Sequence, residues 1–124
     1  MAEDILKKLR KAEDGLSTYE YIANNIGNCD ELMLALVENM INVDRNGQFV
    51  VSTARYLHAI DAEKYADAID ALVKAAIDKD REHKYIPELL SSLWGADYAE
   101  HAAELSAKDD NFRRIYKRVF QKGI

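Results

Sequence analysis

The sequence contains few cysteines, prolines and glycines, and it has no long apolar segment. Its single cysteine, Cys29, has no partner for an internal disulfide, and no cluster of cysteine and histidine has the spacing of a zinc site. The five glycines do not form a phosphate-binding loop, which argues against a nucleotide hydrolase. No run of about 20 apolar residues predicts a membrane-spanning helix. These absences favour a water-soluble protein from a reducing compartment.

The amino-terminal residues are charged and do not resemble a secretory signal peptide. Together with the single cysteine, they predict a cytoplasmic protein without a membrane segment. With 124 residues the chain is long enough for one domain, 1–124, whose core needs neither metal nor disulfide. The composition, 48% hydrophobic and 31% charged, is typical of a globular fold.

The net charge of −5 is unevenly distributed along the chain. Residues 28–80 contain ten acidic and five basic side chains, whereas residues 81–124 contain seven acidic and eight basic ones. The basic residues nearest the carboxyl terminus are Arg113, Arg114, Lys117, Arg118 and Lys122. Affinity for nucleic acid requires clustered lysine and arginine. Because the middle of the chain is acidic, nucleic acid is not the expected partner.

A segment of the sequence occurs twice, and this internal similarity is the strongest pattern in the chain. Residues 36–45 reappear as residues 72–81, and the similarity continues without a gap to residues 61 and 97. Apolar positions match, as in Leu36 with Leu72, and turn positions match, as in Asp44 with Asp80. A fixed offset of this kind predicts a duplicated pair of helices.

Apolar residues at spacings of three and four predict eight helices and no strand. The predicted ranges are 3–14, 17–26, 30–43, 48–58, 62–79, a helix from about 86 with Pro87 in its first turn and Gly95 at its end, 97–107 and 110–122. Polar residues at four of the helix starts have the chemistry of caps. The predicted caps are Ser17 with Glu20, Asp61, Asp97 with Glu100, and Asp109 or Asp110.

The helices are predicted to pair as three hairpins, 17–44, 48–79 and 86–107. Stacked hairpins share a continuous core that a single hairpin cannot build. Two-helix units of this length without the tetratricopeptide signature resemble the HEAT-like class of α-helical repeats. The resemblance implies an all-α fold, a short right-handed α-solenoid with repeats in 17–107. The helices in 1–15 and 109–124 are then expected to cap its two ends.

One candidate metal site lies in the seventh predicted helix, where Asp97, His101 and Glu104 share a face at spacings i, i+4 and i+7. Caps and solvated surface charges explain the same residues, and this interpretation is favoured, so no metal or other cofactor is predicted. Cys29 is interpreted as structural because no histidine is close to it in the sequence. An enzyme is therefore not the favoured interpretation.

The predicted function is non-enzymatic binding of a basic protein partner, as an adaptor or an inhibitor. If the helices 30–43, 62–79 and 97–107 are equivalent, they present a row of carboxylates. The row contains Asp30, Glu31, Glu38, Glu63, Asp67, Asp70, Glu100 and Glu104. Complementary charge accelerates encounter and selects partners. A sharper alternative is an inhibitor of the immunity or antitoxin kind that covers a basic toxin.

Alternatives of a different class use the basic carboxyl-terminal helix. Arg113, Arg114 and Lys117 are part of a positive face that suits phosphate or an acidic protein. The alternatives are a nucleic-acid binder and a metal- or phosphate-dependent enzyme that uses this face or His101. The favoured interpretation is a cap helix whose positive face complements its own carboxyl-terminal dipole and the acidic middle of the chain.

Overall fold

The computed structural model of the chain is all-α, as predicted. It describes the backbone of residues 2–120 and the side chains of residues 4–120. Within that range there are eight α-helices and no strand. The helices are α1 Ala2–Arg10, α2 Leu16–Asn24, α3 Met33–Val43, α4 Gln48–Asp61, α5 Ala66–Lys79, α6 Pro87–Trp94, α7 Ala102–Lys108 and α8 Asp110–Phe120. None of these described helices has the length and apolar character that crossing a membrane requires.

Several helix boundaries differ from the prediction. α1 ends at Arg10 instead of residue 14, and turns and bends follow it up to α2. α4 continues through Asp61, whereas α5 begins only at Ala66. Short 3-10 turns, Asp30–Leu32 and Tyr98–His101, precede α3 and α7. Such turns are common at helix ends, and apolar periodicity does not distinguish them from α-helix.

The predicted cap of α2 is wrong. Gly15 occupies the N-cap position and Ser17 lies inside the helix, so the Ser17 hydroxyl does not bond to the first free amides. Instead, the Leu16 amide donates to Asp14 Oδ1 at 3.0 Å. Gly15 also has a packing role, because a Cβ at this position would lie 2.6 Å from the Cβ of Phe49.

Of the other predicted caps, one is confirmed. Asp61 belongs to α4, and its Oδ1 accepts the Lys64 amide at 3.1 Å in the turn before α5. Asp97 makes no side-chain cap bond at the turn that precedes α7. Asp109 acts as predicted, since its Oδ1 accepts the Phe112 amide at 3.1 Å at the start of α8.

The turns that follow α3 and α5 share two hydrogen bonds. Asp44 and Asp80, each only 2% exposed, both accept backbone N–H groups that precede or open the next helix. Asp44 Oδ2 accepts the amides five and six residues later at 3.1 and 2.9 Å. Asp80 Oδ2 accepts the amides five and six residues later at 2.6 and 2.8 Å. The sequence similarity therefore corresponds to the same local structure at both turns.

A third position of these turns also matches. Gly47 and His83 both have positive φ, +94° and +57°, and His83 is the non-glycine residue with positive φ in the described part of the chain. A Cβ on Gly47 would lie 2.9 Å from the Cβ of Asp80, which places the first turn against the second. The two turns are thus stacked neighbours with equivalent backbones.

Core positions match in the same way. Leu36 and Leu72 are fully buried, as are Val50 and Ile86. Full burial of such a side chain contributes roughly 1.5–3 kcal/mol. These residues belong to one continuous core that extends along the chain from Leu9 to Ile115.

The helices pack in two rows. In the first row α1 contacts α3, α3 contacts α5, and α5 contacts α8. In the second row α2 contacts α4, and α4 contacts α6. The rows meet where α2 packs on α3, α4 packs on α3 and α5, and α6 packs on α8.

The helix that follows α5 in the first row is α8. The prediction that residues 97–107 occupy this position is wrong. Asn111 Nδ2 donates to Asp70 Oδ1 at 2.8 Å, and Arg118 Nη1 donates to the Ile77 carbonyl at 2.8 Å. These bonds show that α8 runs parallel to α5. α7 packs on α8, so it is an insertion between α6 and the next member of the row.

Candidate functional site

α3 and α5 run parallel and are joined at both ends. At the amino-terminal ends, Lys64 Nζ lies 2.6 Å from Asp30 Oδ2, and the Tyr65 hydroxyl donates to Asp30 Oδ1 at 2.6 Å. The hydrogen bond from Lys64, followed by that from Tyr65, lowers the pKa of Asp30. At the carboxyl-terminal ends, Lys79 Nζ donates to the Asp44 carbonyl at 2.8 Å. These contacts fix the exposed surfaces of the two helices relative to each other.

Besides Asp30, two of the predicted acidic residues are paired with lysine. Asp70 Oδ2 lies 2.6 Å from Lys74 Nζ, and Glu104 Oε1 lies 2.9 Å from Lys108 Nζ. The hydrogen bond from the lysine lowers the pKa of the carboxylate in each pair. Exposed pairs add little to stability. They do, however, reduce the negative potential at these two positions.

Other carboxylates lie along α3, α5 and the turns that precede them. Within the described residues, four exposed acidic side chains of these segments form no ion pair. They are Glu31, Glu38, Glu63 and Asp67, which are called the acidic face below. Glu38 lies on α3 and Asp67 in the first turn of α5, whereas Glu31 and Glu63 lie in the turns before these helices.

An exposed leucine lies within the acidic face. Leu34 of α3 is 64% exposed, and with Met33, Tyr65 and Ala68 it lines a groove of about 180 Å³ between α3 and α5. Asp67 lines the same groove. Leu34 was not identified from the sequence. The signal that could have identified it is its position outside the apolar stripe that contains Leu36. Leu34 is therefore an apolar contact point that shares its groove with Asp67 and lies at helical spacing from Glu31 and Glu38.

Two predicted residues lie outside this face. Glu100 is in the 3-10 turn that packs against α6, and Glu104 is on α7, which packs against α8. They do not continue the row of α3 and α5, because the next member of that row is α8. The structure thus brings together Glu38, Glu63 and Asp67, and separates them from Glu100 and Glu104 by a basic helix.

The basic helix α8 makes contacts with the acidic part of the chain. Arg114 Nη2 lies 3.4 Å from Asp78 Oδ1, and Arg118 bonds to the carbonyl at the end of α5. Arg113 pairs with Asp110 in its own helix. Lys117 is exposed, and Lys122 lies outside the described residues. Two of the predicted basic side chains therefore bind the carboxyl-terminal end of α5, where the helix dipole is negative.

The candidate metal ligands are arranged differently from the prediction. His101 Nε2 lies 3.2 Å from Asp97 Oδ2, and Glu100 completes a group whose ligand atoms lie within 4.8 Å of one another. Glu104 is paired with Lys108 and is not in this group. All three clustered residues are exposed, and exposed acidic groups are common without a bound ion.

Cys29 is part of the core. It is 2% exposed, and burial raises the pKa of its thiol, with a smaller contribution from the neighbouring Asp30 carboxylate. A raised pKa disfavours the thiolate, which is the nucleophilic form. The side chain is therefore suited to packing and not to covalent chemistry.

The fold defines this chain as an all-α protein of two packed helix rows. No protein family, curated protein or solved structure shows significant similarity to it.

Proposed function

We propose that the chain is a short α-solenoid of the HEAT-like kind. Support comes from helices that pack on the helix two positions away, α1 on α3 on α5 and α2 on α4 on α6. The matching turns at Asp44 and Asp80 support it further, because stacked repeats place equivalent groups side by side.

The function that the geometry supports best is binding of a basic protein segment at the acidic face. The observation that carries this proposal is the set of unpaired carboxylates around the exposed Leu34. Interfaces combine an apolar centre with a polar rim, and Leu34 with its acidic surroundings has this composition. The rim charges would attract lysine and arginine, and Leu34 would pack on an apolar residue between them.

A small-molecule ligand fits this surface less well. The groove beside Leu34 has a volume of about 180 Å³. Pockets for small ligands usually measure about 300–1,000 Å³ and enclose most of the ligand. The carboxylates here are instead distributed along two helices, which suits an extended segment.

Catalysis also has less support than binding. Within the described residues, the histidine side chain that forms a hydrogen bond is that of His101, its partner is Asp97, and both side chains are exposed. The one cysteine is buried with a raised pKa. An arrangement of nucleophile and base that could activate each other is not formed by these groups.

The test is affinity capture from the native cells followed by quantitative mass spectrometry and titration of the purified partner. The wild-type chain should enrich a basic protein, and the triple variant Glu38→Gln, Glu63→Gln, Asp67→Asn should bind it at least about tenfold more weakly, roughly 1.4 kcal/mol. Leu34→Ser should weaken binding as well. If the captured partner is a toxin that binding inhibits, the result supports the immunity or antitoxin alternative.

A matched control removes charge elsewhere. Glu13→Gln with Glu20→Gln neutralises two exposed carboxylates near α2, in the other row of helices. This control should bind as the wild type does. Equal binding by the triple variant and the wild type, with both correctly folded, would contradict the proposal.

A further inference from the structure

A second groove lies between α5 and α8, here called the α5–α8 notch. It has a volume of about 260 Å³. Its apolar lining includes Ile69, Val73 and Trp94, and its polar lining includes His58, Asp70 and Asp109. Trp94 is the one tryptophan of the chain. The notch therefore combines an aromatic ring with two carboxylates.

Asp109 is the carboxylate of the notch that contacts the indole of Trp94. Its Oδ1 accepts the Phe112 amide, and its Oδ2 accepts the Trp94 indole N–H at 2.9 Å. Within the described residues it forms no ion pair with lysine or arginine. Both of its bonds are to neutral donors, so the carboxylate beside the indole has no counter-ion in the described part of the chain.

Asp70 lines the same notch, and Lys74 compensates part of its charge. It receives Asn111 Nδ2 at 2.8 Å, and its other oxygen is paired with the exposed Lys74. The Trp94 ring is held by the Phe112 ring, with centroids 5.2 Å apart and planes at 75°. The indole and the two carboxylates are therefore fixed in position before any ligand arrives.

The groove between α3 and α5 shows how such an arrangement binds a cation. There, Lys64 Nζ lies 2.6 Å from Asp30 Oδ2 and 5.4 Å from the centroid of the Tyr65 ring. A carboxylate and an aromatic ring thus hold an amine of the chain itself. The α5–α8 notch offers the same chemistry, with a larger ring and a carboxylate that no basic side chain of the described residues neutralises.

We propose that the α5–α8 notch binds an arginine side chain of the basic protein partner. The planar guanidinium would stack on Trp94 and donate to Asp109, and the methylene stem would pack on Ile69 and Val73. This inference rests on the proposed function. Because α5 borders both the acidic face and the notch, one bound segment contacts both.

The test uses the single tryptophan as the reporter. The probe is the peptide acetyl-Ala-Arg-Ala-amide, compared with its citrulline analogue, which keeps the shape and loses the charge. The arginine peptide should shift the Trp94 indole N–H resonance and change the tryptophan fluorescence, with the citrulline peptide binding at least tenfold more weakly. Equal effects of the two peptides, or no effect at Trp94, would overturn the inference.

Two variants locate the site. Asp109→Asn keeps an acceptor for the Phe112 and Trp94 N–H groups while removing the charge, and it should weaken the arginine peptide at least tenfold. The control Glu13→Gln with Glu20→Gln, which lies in or before α2 and outside both proposed surfaces, should leave the response of Trp94 unchanged. An unchanged affinity in folded Asp109→Asn contradicts the assignment.

The two proposals fail in different ways. If the peptide binds at Trp94 but the captured partner is insensitive to the acidic-face variants, the notch stands and the proposed function is wrong. If the partner responds to the acidic-face variants but binds Asp109→Asn as it binds the wild type, the proposed function stands and the notch assignment is wrong.

Discussion

At the scale of single residues, the most informative groups are the two buried aspartates, Asp44 and Asp80. A buried carboxylate is costly unless hydrogen bonds satisfy it. Here the donors are backbone amides near the start of the next helix, where the dipole also favours negative charge. The sequence pairs these aspartates through their shared register, but it does not reveal that they cap helices from outside the usual N-cap position.

Replacing either aspartate by alanine should therefore destabilise the fold strongly. Asp44→Ala leaves two amides without their acceptor and Asp80→Ala leaves three, since Asp80 Oδ1 also accepts the Lys84 amide at 3.0 Å. An unsatisfied buried donor costs about 1–3 kcal/mol. Urea unfolding should show losses above about 2 kcal/mol, larger for Asp80→Ala. Asn variants, which keep a carbonyl acceptor, should lose less.

The positive-φ positions predict opposite outcomes for two substitutions. Gly47→Ala should destabilise, because φ is +94° and the added Cβ would lie 2.9 Å from the Cβ of Asp80. His83→Gly should be neutral or stabilising, because relief of about 1–2 kcal/mol of left-handed strain offsets the entropic cost of glycine. Chemical denaturation of both variants measures this. A large loss in His83→Gly would mean that the imidazole itself supports the turn.

At the scale of helices, periodicity predicted the number and order of elements, and side-chain chemistry was less reliable at their ends. α2 begins at Leu16, one residue before the predicted cap Ser17, because Asp14 and Gly15 form the preceding turn. α6 begins at Pro87, although register with α4 would start it earlier. Proline has no N–H to donate to the turn before it, so it fits the first helical position and not the second turn.

The contact between the starts of α3 and α5 predicts a dependence on pH. Because Lys64 and Tyr65 lower the pKa of Asp30, the folded state binds this proton less tightly than the unfolded chain does. The resulting stabilisation is complete above the ordinary aspartate pKa and is lost as pH falls through the lowered pKa of Asp30. Carboxyl-carbon NMR titration of the wild type and Lys64→Met should show the pKa of Asp30 rising in the variant.

Lys74→Met is the matched comparison. It removes the lysine that lowers the pKa of Asp70 and leaves the pair of Asp30 and Lys64 intact. The pKa of Asp70 should rise and that of Asp30 should not change. A rise of the Asp30 pKa in both variants would indicate a general charge effect in place of the specific contact.

At the scale of the whole molecule, the sequence predicted the candidate surface only in part. Glu38, Glu63 and Asp67 belong to neighbouring elements, as their register indicates. Glu100 and Glu104 do not join them, because α8 is the helix beside α5. An amphipathic pattern shows that a helix packs against other helices, but it does not identify the neighbour. The sequence therefore could not show whether α7 or α8 lies beside α5. The apolar Leu34 and the α5–α8 notch are products of this packing.

Removal of one unit tests the proposed repeat architecture. Deletion of residues 45–80 joins Asp44 to Arg81 and keeps every equivalent position in register. Stability in stacked repeats is a sum of units and neighbouring interfaces, so the shortened chain should fold cooperatively with lower stability. Circular dichroism should give a mean residue ellipticity close to that of the parent and a single transition at lower temperature.

Deletion of residues 47–80 is the control for this experiment. It removes two residues fewer, so the helices that follow are out of register with their neighbours. This variant should lack a cooperative thermal transition. If both deletions unfold alike, the two helix rows form a bundle that requires all of its parts.

Apart from the contact of α5 with α8, each helix packs on helices one or two positions away, and this has a consequence for the order in which the protein forms. Every contact of α1, α2 and α3 named above is made with elements up to α5, so these three helices are independent of the basic carboxyl-terminal region. During synthesis, they can assemble with α4 and α5 at the exit of the ribosome while the last helices are still being translated, because local contacts do not wait for distant segments.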